Sequence, residues 1–167
     1  LNWLNGNPQT DVMTMSMSSY QNDSDGEYKN SDRGWDNIVY DWNIPFVKSA
    51  GNRGEQEGAV TSPGKGYNSI TVGNYDDATD TIANGSSFVD PNTGAAKPDL
   101  SAPGEAISAG GHTMWGTSQA APHVAGFIAD ILSVYPWMKR NAALVKALML
   151  ADSVKPITGG SDKVGVG

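Results

Sequence analysis

Apolar and polar residues alternate from Asp11 to Met17 (Asp-Val-Met-Thr-Met-Ser-Met), which is the period of a strand. From Gln21 to Asp32 the chain turns polar, with Gly26 and several Asp and Asn residues, and reads as a surface loop. Asp32 is placed to cap a short helix through Asp41, in which Trp35, Ile38, Val39 and Trp42 recur at helical spacing. Pro45 ends that helix, and Phe46-Val47 begins a short buried strand running into Ala50-Gly51-Asn52. Gly and Pro punctuate 54–66 as loop, Ser69 to Gly73 is rich in β-formers, and Asp76 to Gly94 is rich in turn residues. Ala106 to Ala109 predicts a short strand, and His112 to Trp115 one arm of a hairpin. From Thr117 to about Tyr135 a helical pattern places Val124, Phe127, Ile128, Ile131 and Leu132 on one side. Pro136 closes it, a second helix spans Asn141 to Ala151, and the tail from Gly159 is glycine-rich. Strands alternating with helices predict an α/β fold with a mostly parallel sheet. No internal repeat and no clear linker interrupts the chain, so one domain, or part of one, is expected.

Composition narrows the class. The chain has 167 residues, 38% of them hydrophobic and 17% charged, enough for a compact core and unlike a disordered polyelectrolyte. A net charge of -7, with Lys139-Arg140 the only adjacent basic pair, disfavours nucleic acid as a partner. With no cysteine there is neither a disulfide framework nor a thiolate metal site. No apolar run reaches the length of a membrane span; the most apolar stretch, Ala142 to Ala151, is broken by Lys146 and reads as a buried helix.

The sharpest chemical signal is Gly116-Thr117-Ser118-Gln119-Ala120-Ala121-Pro122-His123-Val124-Ala125-Gly126. Ser118 stands where a glycine-containing turn enters a helix, whose first N–H groups have no partner within it and favour negative charge. A serine there suits acyl transfer, in which charge develops on the former carbonyl oxygen. Ala120, Ala121, Ala125 and Gly126 are small enough for the helix to pack closely under a cleft, and Pro122 is tolerable only near the helix start. A lone Thr-Ser before a helix is most often just a cap. The eleven-residue string goes further: it resembles the subtilisin-family nucleophile motif at nearly every position, departing at Gln119, where Met is usual. Ser49-Ala50-Gly51-Asn52 resembles the family's oxyanion-asparagine segment. Lys97-Pro98-Asp99-Leu100-Ser101-Ala102-Pro103-Gly104 resembles the segment before its nucleophile, and Met13 to Ser19 the strand lining its substrate cleft.

The resemblance implies a subtilisin-like three-layer α/β/α fold, of which this chain is the C-terminal part, and a serine endopeptidase acting on protein or peptide substrates through an acyl-enzyme. It implies Ser118 as nucleophile and Asn52, with the Ser118 N–H, as oxyanion donors. Ser16, Met17 and Ser18 match the strand that pairs with bound peptide. Side chains at Ser18 and Ser19, where the family often has glycine, are expected to narrow that cleft. Ala50, Gly51, Ser62, Pro63 and Gly64 match the walls of the primary specificity pocket, with Gly116 and Thr117 leading into the nucleophile. No charge stands among those walls, which leans toward an apolar or uncharged primary side chain. An extracellular, secreted setting is implied by the resemblance alone.

In this family the order is Asp, His, Ser, and the ten residues before Asp11 contain neither Asp nor His. The N-terminal half of the catalytic domain is therefore expected to be absent, and the isolated chain to be inactive until that half, or a partner chain, supplies both. His123, five residues beyond Ser118 on the same helix, points about 140° away and reads as structural; His112 is a weak candidate base. Without the missing half, the strand at Asp11–Met17 would present an unpaired edge. Gln21 to Gly26, with Asp32, partly imitates a calcium loop but reads better as a solvated acidic loop. No metal ligand set is assigned in this chain, calcium being left to the whole protein. Asp76, Asp77 and Asp80 read as surface turn residues, and Trp35, Trp42, Trp115 and Trp137 as core or cleft packing. Two other readings stand beside the peptidase: a non-catalytic binding or scaffold protein on the same fold, and an esterase with a Gly-x-Ser-x-Gly elbow, which Ala120 contradicts.

Overall fold

The computed structural model describes residues 10–18, 26–54, 60–89, 96–151, 153, 156–159 and 161–166. Its strands are β1 (Met13–Met15), β2 (Phe46–Ser49), β3 (Ile70–Asp76), β4 (Thr81–Ile82), β5 (Leu100–Pro103), β6 (Ile107–Ala109) and β7 (His112–Met114). Its helices are α1 (Asn30–Trp42), α2 (Thr117–Val134), α3 (Ala142–Ala151) and the short α4 (Ser161–Val164), with a 3-10 turn at Pro136–Met138. β1, β2, β3 and β5 pair in parallel, through Met13 with Phe46, Val47 with Ile70, and Val72 with Leu100. β4 is antiparallel and pairs with the far end of β3. β1 is an edge strand, pairing only with β2 among the described residues.

Adjacent residues of β2 point to opposite faces and so define the layers. Phe46, with Met13, packs into a cluster with Val39 and Ile44, and Trp35 of α1 stacks on the Phe46 ring at 4.3 Å. Val47, with Ile70, Val72 and Leu100, packs beneath Ala120, Val124, Ile128 and Leu132 of α2, joined by Val145 and Met149 of α3. Burying each such aliphatic side chain stabilises the fold by roughly 1.5–3 kcal/mol. The result is the expected α/β sandwich with helices on both faces of a mostly parallel sheet.

Several local expectations need correction. α1 starts at Asn30, with Lys29 rather than Asp32 at its cap. Asp32 lies one turn in, fully buried, where its carboxylate accepts the Lys29 N–H at 2.8 Å, the Ser62 hydroxyl at 2.7 Å and the Lys65 N–H at 3.1 Å. It therefore belongs to no solvated acidic loop and is spent on hydrogen bonds; Gln21 to Asp25 fall outside the described residues. Four residues on, on the same helix face, buried Asp36 accepts the N–H groups of Tyr67 and Asn68 at 2.9 and 2.8 Å and the Tyr28 hydroxyl at 2.9 Å. Burial, then the hydrogen bond to Asp36, push the Tyr28 pKa up to about 12. These two carboxylates tie the loop 61–69 to α1.

Phe127 and Gly126 of α2 face outward, because the sheet covers only the stripe through Val124, Ile128 and Leu132. Trp115 and Trp137 are 60% and 71% exposed and are not core. The 97–104 segment contains β5, whose short length gave no periodic signal. β6 and β7 form a hairpin closed by Gly110 and Gly111, both at positive φ (59° and 82°), the conformation a two-residue hairpin turn requires.

Candidate active site

Ser118 is the second residue of α2, and Gly116 caps the helix at φ 113°. That conformation favours glycine, and the space demands it: a Cβ on Gly116 would lie 2.9 Å from Asn52 Nδ2 and 3.0 Å from Asn52 Oδ1. The close approach lets Asn52 Oδ1 accept both the Thr117 N–H, at 3.0 Å, and the Thr117 hydroxyl, at 2.9 Å. The Thr117 hydroxyl oxygen in turn accepts the Gly51 N–H at 3.1 Å. With its oxygen doubly held, the Asn52 amide has one fixed orientation, and its Nδ2 donates to nothing else among the described residues. The first intrahelical bonds of α2 belong to Gln119 and Ala120, both donating to the Gly116 carbonyl. The Ser118 N–H is thus left unpaired among the described residues, as the geometry of a helix start dictates.

Pro122 has a second consequence. In a regular helix its N–H would bond to the Ser118 carbonyl, and proline has none. That carbonyl instead accepts the Ser16 hydroxyl at 3.2 Å. The segment continuing β1 is thereby joined to the turn that carries Ser118.

A cavity of about 300 Å³ opens beside Ser118. Ser16, Met17 and Ser18 line one side, Gly51 and Asn52 another, and Thr117 and Ser118 the helix end. These seven of the sequence-predicted residues are brought together. Ala50, Ser62, Pro63 and Gly64 are buried and do not line the cavity. Ala50 packs with Val60 and Val89, and the Ser62 hydroxyl turns to Asp32. Gly116 is withdrawn against Asn52. Ser19 lies outside the described residues.

Four lining residues escaped sequence reasoning: Lys48, Ser49, Arg53 and Thr61. Two are cationic, whereas none of the five expected wall residues carries a charge. The available signal was a lysine inside the buried strand Phe46–Ser49, an expensive place for a charge. Lys48 is 1% exposed, and its amine donates to the Ser49 carbonyl and, at 3.2 Å, to the Ser49 hydroxyl. Burial lowers its pKa from 10.5 to about 8, opposed in part by Asp32.

No His, Asp or Glu lines this cavity among the described residues. His123 Nδ1 bonds the Gln119 carbonyl at 2.9 Å and the residue borders a different groove, with Val124 and Phe127. His112 is exposed on β7. Lys97 and Asp99 of the 97–104 segment form a buried ion pair of 2.7 Å, with Lys146 adding a second contact at 3.0 Å. The Asp99 carboxylate also accepts the Thr71 N–H at 2.7 Å, so this segment bolts β5 to β3. No group of three or more His, Cys, Asp or Glu arranged to hold a metal occurs among the described residues. Nor is any described helix long and apolar enough to cross a membrane.

A parallel α/β sheet, a serine at a helix start and an asparagine amide locked beside it define the class. Residues 2–167 match the profile of the Peptidase S8, or subtilase, family, and the chain belongs to that family. It is 33% identical over 115 residues to a subtilisin of Bacillus sp. (strain TA39), a match covering 60% of this chain and 27% of that protein. It is 35% identical over 130 residues to a subtilisin-like protease of Coccidioides posadasii (strain C735), covering 72% and 31%. The chain thus spans about a third or less of these curated relatives. Among solved structures, a cold-adapted subtilisin-like serine proteinase superposes with a TM-score of 0.72 at 24% identity, covering 98% of this chain and 57% of that one. The prenylagaramide maturation protease PagA superposes with a TM-score of 0.77 at 23% identity, covering 99% and 61%. At these identities the likeness establishes the fold.

Proposed function

We propose that Ser118 is the nucleophile of a serine endopeptidase, with the Ser118 N–H and Asn52 Nδ2 as its oxyanion donors. The observation that carries this reading is the lock on Asn52: Thr117 holds its oxygen twice and leaves the amide nitrogen beside an unpaired helix-start N–H. Two such donors stabilise charge only if fixed before the charge arrives. The Ser118 oxygen attacks the scissile carbonyl carbon while a base removes its proton. The carbonyl oxygen takes the negative charge between the two donors. The carbon–nitrogen bond then breaks, the amine leaves with the proton, and water releases the acyl group by the reverse sequence. The peptide backbone lies along Ser16–Ser18.

An unassisted serine hydroxyl is a weak nucleophile. In this reading the base and its orienting carboxylate are supplied from beyond the described residues, by another segment of the same protein or by a partner chain that also covers the edge of β1. The isolated chain is inactive. The cavity's lack of a described His or carboxylate equally favours a second reading, a non-catalytic binding protein on the same fold. Hydrolysis of a fluorogenic peptide by the full-length protein separates them. The peptidase reading requires turnover that Ser118→Ala abolishes and Asn52→Ala reduces mainly in kcat; turnover unchanged by Ser118→Ala, or no turnover at all, rejects it.

A further inference from the structure

The cavity beside Ser118 has an unusual charge pattern for a protein of net charge -7. Its described lining carries two cations, the buried Lys48 and the exposed Arg53, and no carboxylate. We infer that this cavity is a specificity pocket for a peptide side chain ending in a carboxylate, Asp or Glu, with Lys48 as its counter-charge and Arg53 as a second cation. The inference rests on the peptidase reading and names its substrate class.

Three observations carry it. First, Lys48 is buried without an acid of its own. Its hydrogen-bond partners are the two oxygens of Ser49, both neutral. The carboxylate acting on it electrostatically, Asp32, is committed to Lys29, Ser62 and Lys65. A buried cation without a bonded counter-ion is costly, and an arriving carboxylate would remove that cost. Second, Lys48 packs beside the wall that carries Thr61: a Cβ on Gly64 would stand 2.9 Å from the Thr61 carbonyl and 3.5 Å, van der Waals range, from Lys48 Cγ. Third, the walls suit a carboxylate rather than an apolar side chain. Ser49 and Thr61 both line the cavity and bring hydroxyl groups. The Arg53 backbone is fixed by its N–H bond to the Ser87 hydroxyl at 2.9 Å, which holds this wall in place.

The test is covalent labelling of the full-length protein with peptidyl diphenyl phosphonates that differ only in the side chain next to the phosphorus, Glu against Leu. A fluorophosphonate lacking any such side chain serves as reference. The Glu probe is expected to react at least roughly tenfold faster than the Leu probe, the scale of one hydrogen bond to a charged group. In Lys48→Met the Glu-to-Leu ratio should fall to one or below, and in Arg53→Gln it should fall less. If the fluorophosphonate labels Ser118 but the Leu probe outpaces the Glu probe in the wild type, the acidic preference is wrong while the peptidase reading stands. If no probe labels Ser118, both fall together. Should Lys48→Met fail to fold, the wild-type ratio and the Arg53→Gln ratio decide the matter.

Discussion

Lys48→Met is expected to stabilise the protein at neutral pH, although it deletes hydrogen bonds seen in the structure. A Lys whose pKa falls from 10.5 to about 8 on folding carries, at about 1.4 kcal/mol per tenfold change, about 3 kcal/mol of destabilisation while it is charged. The sign follows from proton counts. Below pH 8 both folded and unfolded chains hold the proton, and the whole cost is present. Between pH 8 and 10.5 the folded chain loses it first, so the unfolded chain binds more protons and stability rises with pH. Above 10.5 both are neutral and the cost is gone. Methionine has a similar length and an apolar end, so it keeps the stem packed against Gly64 without the charge. Denaturant unfolding of wild type and variant from pH 6 to 10.5 measures the difference. Lys97 is also pushed down to about 8, chiefly by burial, but it is present in both proteins and cancels. The variant should be more stable by up to about 3 kcal/mol at pH 7, with the gap closing as pH passes 8. A variant less stable than wild type by the same amount at every pH would show that the Ser49 bonds outweigh the burial cost, and would refute the reasoning.

Gly116→Ala should cripple the nucleophile turn. The new methyl meets the Asn52 amide at about 3 Å and occupies φ 113°, so Asn52 must leave Thr117. Loss of one oxyanion donor slows turnover about 10²–10³-fold in subtilisin, from which the figure is taken, and kcat should fall here on that order with little change in KM. Asp99→Asn strands Lys97 and leaves Lys146 with only the carbonyls of Tyr67 and Ser69. Breaking a buried pair from one side costs about 3–5 kcal/mol, to be read as a loss of that order in denaturant unfolding. Ser16→Ala removes the hydroxyl bond to the Ser118 carbonyl and should raise KM for peptide more than it lowers kcat.

Elements with a strong period or strong punctuation were legible in the sequence. The alternation at Met13–Met15, the long helix from Thr117 and the hairpin around Gly110-Gly111 all lie where the pattern placed them. β5 escaped because four residues inside a Pro- and Gly-bounded segment have no room to show a period. Local capping rules place Asp32 at the helix start, whereas its partners, Ser62 and Lys65, lie some thirty residues away. Sequence also named Ser118, Asn52 and the Ser16–Ser18 segment, because a rigid local motif carries its own geometry. Of the expected pocket walls, Gly51 lines the cavity beside Ser118, whereas Ala50, Ser62, Pro63 and Gly64 are buried and do not. Which side of a loop faces a cavity depends on what anchors the loop from behind, and here two carboxylates of α1 pull Ser62 and its neighbours inward. Lys48 left one trace in the sequence, a lysine inside a strand that reads as buried, but its place on the cavity wall depends on packing that no local pattern encodes.

The most direct test of the account is whether Ser118 becomes covalently modified. The full-length protein is treated with a fluorophosphonate, its intact mass is measured, the adduct is mapped by peptide sequencing, and Ser118→Ala serves as control. The account predicts one adduct per molecule, on Ser118, absent from the variant and absent from the isolated chain. An unmodified Ser118 in the full-length protein, or equal labelling of the Ser118→Ala variant, would contradict it.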